Sequence, residues 1–205
     1  MSDTEDLDAP LRRWMAENVG IPESVFQSRD SQDDWTFVIM MNAVLETALN
    51  HLLTTRMGNP KLADIFPYVE MGNVRSGKIA FIRAYDLLSE ESCLFIRYLG
   101  QLRNTLAHNI KNFDFNLNAH LAACAPQERK NWVRGLVSWA SQPASDEICK
   151  TALQFPRKGI NNAVFFIVFE CIKHQKAAEA QKKMQEEFDR EMKGLGARYQ
   201  STPKE

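Results

Sequence analysis

Arg103, Asn104 and His108 fall within six consecutive residues of the segment LGQLRNTLAHNI (99–110), inside a run otherwise striped with leucine. An arginine presents a planar fork of donors that can clamp a phosphate. A histidine takes up and returns protons near neutral pH. Asn104 stands four residues before His108, one helical turn away, where an amide can orient the imidazole. Cleavage of RNA by its own 2′-hydroxyl needs a base for that proton, an acid for the leaving oxygen and a fixed cation for the charged phosphorane. Two copies of this set, brought together by symmetry, would supply all three with no metal or cofactor.

At about 100° per residue, Phe95, Leu99, Leu102 and Leu106 share one helix face, with Tyr98 at its edge. Arg97, Gly100, Asn104, Ala107 and His108 lie roughly opposite, and Arg103 sits on the flank between. Glycine inside a helix costs about 1 kcal/mol against alanine, so Gly100 and Ala107 imply close approach by another backbone. The expectation is a homodimer through this helix, enclosing a groove with two arginines and two histidines. The alternative is a helix end whose histidine suits the dipole and whose Asn–His pair only caps carbonyls.

The elements that must position these residues are helices. Glycine and proline are sparse and apolar residues recur at helical spacing, which predicts an all-α domain. A short helix is expected from Pro10 to Gly20, then a long one from Asp33-Asp34 through Trp35, Ile39, Leu45, Leu49 and Leu52 to the stop at Gly58 and Pro60. A third runs from Lys78 to Leu88, and Ser89 caps a fourth from Glu90 to Asn109. KNFDFNLNAHLAACAP reads as loop-rich, and Pro126 starts a helix through Trp132, Leu136 and Trp139. SQPASDE and FPRKGINN read as connectors. A last helix begins near Asn161, buried from Val164 to Ile172 and polar from Lys173 onward. The organisation is an N-terminal segment (1–30), a helical bundle (31–172) and a polar extension (173–205). The extension carries only a thin stripe of Ala177, Met184 and Phe188, and reads as a solvated helix or as a partner-binding coil.

A net charge of -1 excludes an overall basic, duplex-coating protein. Cys93, Cys124, Cys149 and Cys171 are scattered with no metal-ligand spacing, as free thiols of a reducing compartment. The acidic start MSDTEDLDAP is no signal peptide, and AVFFIVFECI is about half of a bilayer span, so a cytoplasmic chain with no membrane partner is expected. Glu46 and His51 read as solvated or core-edge residues, with a supporting role at the groove as the alternative. His120 and His174 read as surface residues, and Arg75, Lys78 and Arg83 as solvated charge that can draw in an anionic strand. GNVRSGK lacks the spacing of a phosphate-binding loop. Trp132 and Trp139, seven apart, have core spacing.

RNTLAH fits the Arg-x4-His signature of the HEPN superfamily of small α-helical domains. The preceding GKIAFIRAYDLLSEESCLFIRYLGQL resembles its mannitol operon repressor-like branch, and MMNAVLETALNHLL is similar to the long earlier helix of such domains. The resemblance spans roughly residues 34–115. It implies a bundle of four to five core helices, here with a long C-terminal helix, that dimerises through the motif helices. It also implies a metal-independent endoribonuclease of the toxin, phage-defence or RNA-processing kind, with Arg103 and His108 as catalytic pair and Asn104 as accessory. Several toxin members carry a tyrosine soon after the histidine, where this chain has Asn109-Ile110. Members nearer the mannitol repressor are regulators, which gives the alternative of a non-catalytic regulatory or interaction module. A third reading is a toxin-like component masked by an antitoxin partner on the tail.

Overall fold

The computed structural model describes residues 9–27, 32–108 and 114–200, with side chains as far as Lys193. Among them every regular element is helical. The bundle is organised around α3 (Asp34–Met57), whose first free N–H groups are met by Asp33: its carboxylate accepts from Thr36 N at 2.8 Å and Thr36 Oγ1 at 2.7 Å. The helix ends at Gly58, which takes the left-handed conformation (φ 66°) that a side chain would resist. Phe37, Val38, Met41, Leu45, Leu49 and Leu52 are buried, each contributing roughly 2 kcal/mol of apolar burial. By length and composition alone α3 could cross a bilayer; 56% of its apolar window is instead buried inside the bundle.

Helices α1 (Ala9–Val19) and α2 (Ser24–Gln27) precede it, and α1 buries Met15, Ala16 and Val19. Helix α4 (Lys78–Ala84) is shorter than its periodicity predicts. The chain turns at Asp86, at φ 50°, and Leu87 N donates to Ile82 O at 3.0 Å. Helix α5 (Glu90–Ala107) starts under the Ser89 cap, as expected, and packs Phe95, Ile96, Leu99, Leu102 and Leu106 against α3 and α7.

Three expectations in the second half need correction. The loop-rich stretch contains α6 (Leu117–Ala123), capped by Asn116 and tied to the start of α3 by Leu117 N donating to Asp34 Oδ2 at 2.8 Å; positions 111–113 lie outside the described residues. Helix α7 (Pro126–Leu136) buries Trp132 but stops before Trp139, which is 39% exposed and donates its indole N–H to Leu136 O at 3.0 Å. Helix α8 (Asp146–Gln154), under the cap of Ser145, fills the space between the two supposed connectors. Of FPRKGINN, Phe155 caps the end of α8 and the rest is the first part of α9 (Pro156–Gln200): its proline occupies the first helical position, where a missing N–H costs nothing.

Helix α9 lies along α3 for its first half, burying Ile160, Ala163, Val164, Ile167, Val168, Cys171 and Ile172. It runs unbroken past position 172. Gln175, 7% exposed, donates Nε2 to Ala48 O at 3.5 Å. Beyond it no described side chain up to Lys193 is buried, and Met184, Phe188 and Met192 stand 71%, 57% and 52% exposed.

A polar cleft between α3 and α5 as candidate functional site

Asn42 and Glu46 stand one turn apart on α3, as polar interruptions of an apolar surface. The chain between α3 and α4 folds back over them. It makes two short 3-10 turns, Pro60–Asp64 and Phe66–Tyr68, and is pinned by Phe66, buried edge-on to Phe81 with ring centroids 5.8 Å apart. Asn73 Oδ1 accepts from Arg75 N and Ser76 N, and Lys78 N donates to Glu70 O at 2.9 Å, which closes the loop onto the start of α4. Between this loop, α3 and α5 remains a cleft of about 290 Å³.

Its floor is built by a buried charge pair. Lys78, expected as solvated charge, is 0% exposed, and its Nζ donates to Glu46 Oε1 at 2.6 Å. Glu46 lines the cleft with its side chain 30% exposed. Asn42 also lines the cleft, is 4% exposed, and its Oδ1 accepts no hydrogen bond from the described residues. Arg83, likewise expected to be solvated, pairs with Glu90 at 2.6 Å, which holds its guanidinium still more firmly protonated than usual.

The rim is built by α5. Arg103 and Asn104 both line the cleft, and Arg103 Nη1 donates to Asn104 Oδ1 at 3.1 Å. The asparagine's amide oxygen therefore serves the arginine, not the imidazole. His108 is the C-cap of α5. Its backbone N–H reaches Asn104 O at 3.2 Å, and its ring is exposed and makes no side-chain hydrogen bond among the described residues. It does not line the cleft. Gly100 differs from expectation too: it is buried, and a Cβ there would lie 3.2 Å from Met71 Cε. The close neighbour that glycine admits is this chain's own cleft loop. Ala107 is exposed.

The remaining histidines stand apart. His51 is exposed on α3 and does not line the cleft. His120, expected at the surface, is half-buried between Phe115 and Trp132, with ring centroids 5.6 and 6.2 Å away, and burial lowers its pKa. His174 is half-buried on α9. All four cysteines are free thiols. Cys93 is pushed up to about 11 by burial, and Cys171 is driven up further for the same reason. Among the described residues no three His, Cys, Asp or Glu side chains converge as a metal site.

The chain was compared with protein-family models, with curated proteins and with solved structures. It matches none of the three. Function must be read from the cleft itself. The cleft is acceptor-rich at its floor, through Glu46 and Asn42, and cationic at its rim, through Arg103. Asn42 is the functional candidate that sequence reasoning passed over. Its signal was an amide at a position whose neighbours, Met41 and Val44 to Leu45, are core residues.

Proposed function

We propose that this all-α bundle is a HEPN-type, metal-independent endoribonuclease of a reducing, cytoplasmic compartment, acting as a homodimer through α5. The observation that carries the reading is Arg103, held by Asn104 on the rim of an open polar cleft with an exposed imidazole at the end of the same helix. In this reading Arg103 clamps the scissile phosphate. His108 takes the 2′-hydroxyl proton as the 2′ oxygen bonds to phosphorus. The 5′ oxygen leaves with a proton from the histidine of the second copy, and a 2′,3′-cyclic phosphate remains. A physiological protein partner, such as an antitoxin on the C-terminal arm, fits the same reading.

A second reading is favoured by one observation: His108 lies outside the cleft that Arg103 and Asn104 line. On it the protein is a regulatory or interaction module and the cleft binds without cutting. RNA digestion in EDTA separates the two. On the first reading the wild type cleaves, and Arg103→Ala and His108→Ala each lose roughly a hundredfold or more with fold and dimer intact. Intact RNA of varied sequence after incubation with clean wild-type protein assigns the binding role instead.

A further inference from the structure

We infer that the cleft between α3 and α5 is a guanine pocket, an inference that rests on reading Arg103 as a phosphate clamp. Its floor presents two acceptors, Glu46 Oε2 and Asn42 Oδ1. Asn42 Oδ1 is buried without a partner, a state that costs free energy unless a ligand donor satisfies it. Glu46 is fixed by Lys78 through Oε1, and Oε2 takes no hydrogen bond from the described residues. A ligand complementary to this floor carries adjacent N–H donors, at least two and preferably three. Among the four RNA bases, guanine alone presents such an edge, N1–H beside the two hydrogens of the 2-amino group. A carboxylate spans N1–H and one amino hydrogen, and the asparagine oxygen takes the other. Adenine and cytosine present one amino donor beside an acceptor, and uracil one donor between two acceptors, so each would set an acceptor against Glu46 or Asn42.

The other features of the cleft agree. A volume of about 290 Å³ lies at the lower end of ligand pockets, about 300 Å³, and suffices for one base. Tyr68 lines the cleft and is 90% exposed, an aromatic face on which a base can stack. Arg103 on the rim meets the phosphate of the same nucleotide, whether that nucleotide is free or part of an RNA strand.

Calorimetric titration of the full chain with mononucleotides tests this. GMP is expected to bind at least about tenfold more tightly than AMP, CMP or UMP, because each mismatch strands a buried acceptor. IMP, which lacks only the 2-amino group, should bind about tenfold more weakly than GMP. Asn42→Leu, which removes the unsatisfied amide, should melt no lower than wild type and bind GMP and IMP alike. Arg103→Ala should weaken GMP towards guanosine while keeping the preference for GMP over AMP. Equal binding of the four nucleotides, no binding of any, or equal binding of GMP and IMP overturns the inference. Short single-stranded RNAs with and without one guanine distinguish the source: stronger binding of the guanine-bearing strand than of GMP assigns RNA, and parity assigns the free nucleotide. Selective GMP binding without RNA cleavage leaves the pocket standing and removes the nuclease. Cleavage with no guanine preference does the reverse.

Discussion

Lys78 Nζ lies 2.6 Å from Glu46 Oε1 across 32 positions of sequence, with the lysine wholly out of solvent and the glutamate side chain 30% exposed. The asymmetry decides what each partner is worth. Without Glu46 a buried ammonium is stranded; without Lys78 the carboxylate can still turn to water. Glu46→Ala should therefore cost about 3–5 kcal/mol and Lys78→Met only about 1–2 kcal/mol, with the double variant nearer the lysine variant than the sum. Urea unfolding of the three variants measures this. Equal losses for the two single variants would sink the account.

His120 makes stability depend on pH. Burial lowers its folded-state pKa below the ordinary value of 6.5, so the unfolded chain binds the proton more readily. Its contribution is present above about 6.5 and is lost as the pH falls towards the folded pKa. Melting followed between pH 7.5 and 5 should show that loss, and His120→Phe, which keeps a ring between Phe115 and Trp132, should flatten it. An unchanged pH slope in the variant would place the dependence elsewhere.

The thiols divide into two classes. Cys93 and Cys171 are buried with their thiolates strongly disfavoured, while Cys124 and Cys149 are half-exposed. Titration of the native protein with a disulfide reagent at pH 8 should modify two of the four cysteines, the other two reacting only in denaturant. Peptide mapping that finds Cys93 among the fast pair would contradict the packing of α5.

The arm of α9 adds little to the bundle. No described side chain from Lys176 to Lys193 is buried, so ending the chain after Lys176 should shift the melting temperature by only a few degrees. Amide exchange of residues 177–193 should be orders of magnitude faster than that of Ile160–Ile172. Slow exchange along the arm in the isolated protein would reveal a partner already seated on Met184 and Phe188.

Caps and stripes made much of this fold legible. Asp33, Gly58 and Ser89 act locally, and the leucines of α5 face inward as their spacing demands. What escaped was set by distant partners. Lys78 resembles any basic residue at a helix start until Glu46, from another helix, closes over it. Gly100 advertises a close approach, but nothing in its neighbours says that Met71 fills it. Pro156 opens a helix because Phe155 has already ended the one before, and a proline alone does not distinguish a start from a stop. At the candidate site, Arg103 and Asn104 reach the cleft while His108 falls one turn beyond it, because α5 ends at Ala107.

The 45 residues of α9 have a hydrodynamic consequence. At 1.5 Å per residue the helix is about 68 Å long, whereas a compact chain of this size has a radius of gyration of about 17 Å. A rod of that length fixed to one side makes the molecule anisotropic. In solution it should tumble more slowly, scatter with a larger radius and elute earlier from a sizing column than a sphere of its mass. Its apparent mass in such a column therefore overstates the number of copies, and subunits must be counted by a method that weighs rather than sizes them.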